Sequence, residues 1–167
     1  KWQGGLSETE NPLTITMDDD LEITAVFWDE IIIQDLIDKA ADGDVITIPP
    51  GTYYENIDFK GKNITLQSRD PDDPAVVAAT VIDGGENGPV VTFNSDESAA
   101  AVLQGFTIKN GSGFYKEFAG TFGGGIFIED ASPTIRKNII TENNAERGGG
   151  LYLRLSNSIV EENRIAY

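Results

Sequence analysis

The residues able to carry chemistry in this chain are almost all carboxylates. Asp and Glu number 28 against 12 Lys and Arg, and there is no His and no Cys. A Ser-His-Asp triad, a Cys nucleophile, a Cys/His zinc site and imidazole acid–base catalysis are thereby excluded. Carboxylates remain able to hold a hard cation, and calcium takes about six to eight oxygens from clustered acids and carbonyls. The densest acid groups are Asp18-Asp19-Asp20 and the set Asp70, Asp72 and Asp73. Calcium is the one cofactor these residues could take, with Asp70, Asp72 and Asp73 the stronger metal candidates. Neither group has EF-hand spacing. The plainer readings are a hairpin turn for the first and a solvated loop between Ser68 and Pro74 for the second. A glycosidase needs two carboxylates facing each other at about 5–9 Å. Glu142 and Glu162 are the nearest pair to consider, 20 residues apart. The other candidates are aromatic: Phe114, Tyr115, Phe118 and Phe122 crowd the stretch from Gly111 to Phe122. Exposed rings stack on sugar faces, which makes these four the candidate ligand-binding residues; alternatively they fold back and seal the body beside them.

The elements that must position these groups are legible as a repeat. Gly123-Gly124-Gly125-Ile126-Phe127-Ile128 returns 25 residues later as Gly148-Gly149-Gly150-Leu151-Tyr152-Leu153, and Asn138-Ile139-Ile140 returns as Asn163-Arg164-Ile165 at the same offset. Between them, Ser132-Pro133-Thr134-Ile135 answers Asn157-Ser158-Ile159, which pairs Ile135 with Ile159 at an offset of 24. Three short apolar segments, each bounded by Gly, Asn or Ser, suit strands and are too short for helices. Stacked three to a turn, they form an all-β parallel β-helix of about four rungs of ~25 residues. Glu142 and Glu162 therefore do not stack, whereas Glu129 and Arg154, 25 apart, form an ion pair between rungs. Asn138 and Asn163 form an asparagine ladder at one corner, and Asn110 and Asn143 are read the same way. The Gly-Gly-Gly runs are corners and not phosphate loops, since no helix follows them.

Upstream, the strands begin with Val45–Ile48, Tyr53–Phe59 and Ile64–Leu66, and continue with Val81-Ile82, Val90–Phe93 and Ala101–Ile108. Ile33, Leu36, Ile37, Ala40 and Ala41 fall at helical spacing, predicting a short amphipathic helix over 34–41 that caps the first rung. Residues 1–28 differ in character. Leu13–Met17 and Leu21–Phe27 alternate around Asp18-Asp19-Asp20, predicting a β-hairpin. The domain division is thus 1–28 and 29–167. The chain starts at Lys1 and stops just beyond a strand, so both ends are expected to be cut from a longer protein. The formal charge of −16 makes nucleic acid and anionic membranes poor partners, and no apolar run approaches the ~18 residues of a membrane span.

Three resemblances add to this reading. Asp42-Gly43-Asp44-Val45-Ile46-Thr47-Ile48-Pro49-Pro50-Gly51-Thr52-Tyr53 resembles the opening cap and first rung of the pectate-lyase-like superfamily of right-handed parallel β-helices. The Gly-Gly-Gly-Ile and Ile-Thr-Glu-Asn-Asn pattern (123–126 and 140–144) is similar to chlamydial polymorphic outer-membrane repeats. Trp2-Gln3-Gly4-Gly5, Glu10–Asp18 and Thr24-Ala25-Val26-Phe27 resemble the C-terminal end of bacterial surface repeats related to the internalin B repeat. These resemblances imply an extracellular or cell-surface, multi-module bacterial protein. Lyases of the superfamily combine carboxylate-bound calcium with an Arg or Lys base on an exposed strand face. Arg136, Arg154 and Arg164 lack a matching carboxylate trio, so no catalytic residue is assigned. The expected function is a stalk or a scaffold for adhesion and for binding a polysaccharide or another partner. The runner-up is the N-terminal part of a polysaccharide lyase or glycoside hydrolase with its active site in later rungs. The last rung, left open, is expected to allow end-to-end self-association.

Overall fold

The computed structural model describes residues 2–3, 24–25, 31–117 and 119–166. Residues 1–31 and 32–167 are two compact units. In the first, β1 (Trp2–Gln3) pairs antiparallel with β2 (Thr24–Ala25). β2 falls inside the predicted strand 21–27. The predicted partner 13–17 and the Asp18–Asp20 turn lie outside the described residues.

The second unit is a parallel β-helix. Its first rung holds β3 (Val45–Ile48), β4 (Gly51–Tyr54) and β5 (Ile57–Asp58). The second holds β6 (Thr65–Ser68), α2 (Pro74–Ala79), β7 (Thr80–Asp83) and β8 (Val91–Phe93). The third holds β9 (Val102–Gln104), β10 (Thr107–Lys109), an excursion of β11 (Phe114–Lys116) and β12 (Gly120–Phe122), and then β13 (Ile126–Glu129). The fourth holds β14 (Thr134–Arg136), β15 (Ile139–Ile140) and β16 (Leu151–Arg154), and β17 (Ile159–Glu161) with β18 (Arg164–Ile165) starts a fifth. The strands stack into three parallel sheets, ordered β17-β14-β9-β6-β3, β18-β15-β10-β7-β4 and β16-β13-β8-β5. Aligned positions such as Val45, Thr65, Val102, Thr134 and Ile159 are separated by 20, 37, 32 and 25 residues. The last interval has the 25-residue repeat; the β11–β12 hairpin lengthens the rung before it and α2 the one before that, while the first rung is the shortest.

Strand alternation puts every second residue inside. The inward positions form columns along the axis: Ile46, Leu66, Leu103, Ile135 and Val160 in the first sheet, and Tyr53, Ile82, Ile108, Ile140 and Ile165 in the second. The third carries Ile57, Val91, Ile126 and Leu151, with the Phe59 and Phe93 rings 4.2 Å apart nearby. The predicted Ile126–Leu151 pair is present. The Ile135–Ile159 pair is not: Val160 aligns with Ile135, and Ile159 with Thr134. The period is 25 throughout this segment, and a one-residue slip moves a side chain to the opposite face. Ile159 is accordingly outward and exposed. Outward positions of the first sheet form a polar ladder instead. Gln67 Nε2 donates to Thr47 Oγ1, Gln104 Nε2 to Gln67 Oε1, and Arg136 Nε to Gln104 Oε1.

Corners explain two further departures. The runs 53–59 and 101–108 are each two strands; Gly105, at φ +80°, turns the second, and a Cβ there would lie 2.9 Å from Pro71 Cα. Only glycine fits there. At the repeated glycine corner, a Cβ on Gly124 would lie 2.4 Å from Gly149 O, so successive corners stack backbone on backbone. The asparagine ladder is present between Asn138 and Asn163, with Nδ2 of the former 3.1 Å from Oδ1 of the latter. Asn143 aligns instead with Gly111, whose N–H donates to its Oδ1 at 2.9 Å, and Asn110 hydrogen-bonds Asp83.

The capping helix α1 (Ile33–Lys39) buries Ile33 and Ile37 in the core. Its own N-cap residue, Ile32, supplies no side-chain hydrogen bond. Glu55 does so from the first rung, accepting from Ile33 N at 2.7 Å and Gln34 N at 2.9 Å. At the other end, Lys62 Nζ donates to the carbonyls of Ile37, Asp38 and Ala40, each at 2.7 Å. An anion at the N-terminus and a cation at the C-terminus both oppose the helix dipole.

Candidate functional site

The most distinctive surface feature is the β11–β12 hairpin, which leaves the third rung after Gly113 and returns at Gly123. Its strands are antiparallel, pairing Phe114 with Phe122, Tyr115 with Thr121 and Lys116 with Gly120. Alternation sends Phe114, Lys116 and Phe122 toward the body and Tyr115 away from it. On the inner side, the Phe114 ring lies 5.3 Å from Phe127, and Phe122 meets Tyr152 edge-on at 5.0 Å. Phe127 and Tyr152, one rung apart on the outer face of the third sheet, stack at 5.6 Å. Four rings therefore fasten the hairpin to the scaffold. Phe122 is 4% exposed, Phe114 keeps an edge in water at 45%, and Tyr115 is 67% exposed. Of the four predicted ligand-binding residues, Phe122 thus serves packing, Phe114 is divided between packing and solvent, and Tyr115 is presented outward. Phe118 lies outside the described residues.

Charged groups frame the rings. Lys116 Nζ donates to both oxygens of Glu129 at 2.6 Å and sits 5.5 Å from the Phe127 ring centre. Arg154, one rung on, hydrogen-bonds the same carboxylate, which is the rung-to-rung ion pair expected from sequence. The Lys116 hydrogen bond, reinforced by Arg154, holds the Glu129 carboxyl below the usual carboxylate range, and Glu129 raises Arg154 in turn. The Arg147 guanidinium lies 5.2 Å from the Phe122 ring centre.

The predicted metal candidates are arranged otherwise. Asp73 is the N-cap of α2, accepting from Ala75 N at 2.8 Å, and Pro74 opens the helix. Asp70 Oδ1 accepts from Asp72 N at 3.1 Å. Asp72 reaches across to Lys137 on the fourth rung, whose ammonium pKa that hydrogen bond raises. Among the described residues, no three acidic side chains gather as a cation cage. These contacts create a feature that composition did not reveal, a groove of about 420 Å³ beside α2. Val77 and Ile139 give it apolar lining, and Asp72, Lys137, Glu162 and Arg164 its charged rim. The signal in the sequence was Asp73-Pro74, a helix start hidden inside an acid-rich loop. Glu162 approaches Lys137 at 3.9 Å, so it is aligned with that residue and not with Glu142. Arg136 faces Glu161 at 4.0 Å.

Three stacked parallel sheets, a capping helix and a lateral hairpin define a parallel β-helix scaffold. Residues 45–165 match the model of DUF1565, described as a protein family of unknown function, and the chain belongs to that family. No curated protein and no solved structure matches the chain. No helix of the described residues is long and apolar enough to cross a membrane.

Proposed function

We propose that the chain is an extracellular or cell-surface β-helix module, a rigid stalk that presents the β11–β12 hairpin as a binding platform for a glycan or a partner surface. Residues 1–167 carry no catalysis in this reading. The observation that carries it is Tyr115, a large ring 67% exposed on a hairpin whose opposite face is locked by four packed rings. A rigid aromatic presented this way loses little entropy on contact, which favours binding. The surface location rests on the resemblance of residues 1–28 to bacterial surface repeats. The test is to incubate the chain with a panel of polysaccharides and measure retention and chain length together. The expected outcome is retention that Tyr115→Ala abolishes, with the polymer intact. No retention of any polymer would remove the glycan reading.

The groove beside α2 favours a second reading, a polysaccharide lyase or glycoside hydrolase whose site is completed by further rungs. It sets Lys137 and Arg164 beside Asp72 and Glu162 where the rungs turn a corner. Shortening of the polymer, lost in Lys137→Ala and retained in Tyr115→Ala, would select that reading.

A further inference from the structure

Resting on the hairpin as a glycan platform, we propose that its ligand is a neutral polysaccharide, built of hexose or N-acetylhexosamine units and free of carboxylate and sulfate groups. The chain's net charge of −16 already disfavours polyanions, but screening over about 8 Å in physiological salt leaves the decision to local groups. Three cations stand at the hairpin, and two are committed. Lys116 and Arg154 both hydrogen-bond Glu129, whose side chain is only 16% exposed. Turning either cation toward an anionic sugar would take one of two partners from a largely buried carboxylate, an exchange that offsets any new contact. The third, Arg147, follows Glu146, whose carboxylate lies against Gly120 of the hairpin itself. Glu117 and Asp130 are exposed close by in the chain. Lys116, Arg147 and Arg154 are thus outnumbered by Glu117, Glu129, Asp130 and Glu146.

Among the described residues, the charges around the hairpin do not sum to a positive well. What the hairpin offers a ligand is an aromatic face for the C–H side of a sugar, with a phenol hydroxyl for its polar rim. That combination fits an uncharged pyranose. It also implies binding that ignores ionic strength, because no counterions are displaced.

The experiment immobilises neutral polymers (a β-glucan, a mannan and a chitin-type polymer) beside anionic ones (a polyuronate and a sulfated glycosaminoglycan). The whole chain and its Tyr115→Ala variant are applied at about 50 and about 500 mM NaCl. Thermal melts of both proteins confirm that the outward-facing substitution leaves the fold unchanged. The expected result is binding to at least one neutral polymer, within about twofold at the two salt concentrations and about tenfold weaker in Tyr115→Ala. Tyr115-dependent binding confined to the anionic polymers and weakened by salt would overturn the neutral assignment while keeping the platform. Absence of Tyr115-dependent binding to either class would overturn the platform itself, and with it this inference.

Discussion

Replacing Asn138 by Ala should destabilise the chain far more than the same change at Asn163, although the two occupy equivalent positions one rung apart. Asn138 is 1% exposed. Its Oδ1 accepts from Phe106 N at 3.0 Å and its Nδ2 donates to Leu103 O at 3.0 Å. Truncation strands one buried donor and one buried acceptor, each worth about 1–3 kcal/mol, so the cost should be about 2–6 kcal/mol. Asn163 makes the equivalent bond to Ile135 O at 2.8 Å, but it is half-exposed on the final rung. Water can replace its contacts, and its loss should cost about 1 kcal/mol. Asn138→Asp should be at least as damaging as Asn138→Ala at neutral pH, because the new carboxylate would face two acceptors. Its deficit should shrink as the pH falls and the buried acid protonates. Urea denaturation followed by far-UV circular dichroism measures all three. Equal costs for the two Ala variants, or a cost below about 1 kcal/mol at Asn138, would refute the claim that buried ladder asparagines are load-sharing parts of the core.

Other expectations follow from the same geometry. Ile135→Asp should abolish folding, since its charge enters the core column, whereas Ile159→Asp should be tolerated on the outward face; soluble yield and thermal melts distinguish them. The Glu129 carboxyl is depressed in the folded state, so its contribution is present above the unfolded value of about 4.3 and lost as the pH falls through the lower folded value. Glu129→Gln should therefore be less stable near neutrality and lose less stability in acid, read as melting temperature against pH. Calcium at millimolar levels, or its chelation, should leave the melting temperature unchanged, because Asp70, Asp72 and Asp73 already serve a turn, an ion pair and a helix cap. A calcium-dependent rise would assign those residues to a metal instead. Residues 1–167 taken alone should self-associate with concentration, since Leu153, Ile159, Val160 and Ile165 are exposed on β16, β17 and β18, with Leu155 exposed beside them. Sedimentation showing only monomer at high concentration would contradict that.

The parallel stack was legible because each rung repeats the same short apolar segments and glycine corners, and no single rung can bury its own apolar side. The Ile135–Ile159 pairing misled because matching two isoleucines overrode a constant period, and a single residue decides which face a strand presents. Helix α2 escaped notice since six residues are too few for periodicity and its Asp-Pro start sat among other acids. The capping of α1 was not readable locally. Its N-terminal anion, Glu55, comes from 22 residues downstream, and only the coiled path of the first rung brings it there. The aromatic stretch showed where a surface excursion lies. It could not show that Phe122 packs inward while Tyr115 faces water, because that depends on the register of an antiparallel pair and on Phe127 and Tyr152 beneath it.

The most direct test of the account is to map where a sugar touches the folded chain. Isotope-labelled protein titrated with a soluble neutral oligosaccharide, and followed by backbone amide resonances, separates the two candidate surfaces. Shifts should concentrate at residues 114–116 and 120–122, with Lys137, Ile139 and Arg164 unmoved. Shifts centred on Lys137, Ile139 and Arg164, with the hairpin silent, would contradict it and place the ligand in the groove beside α2.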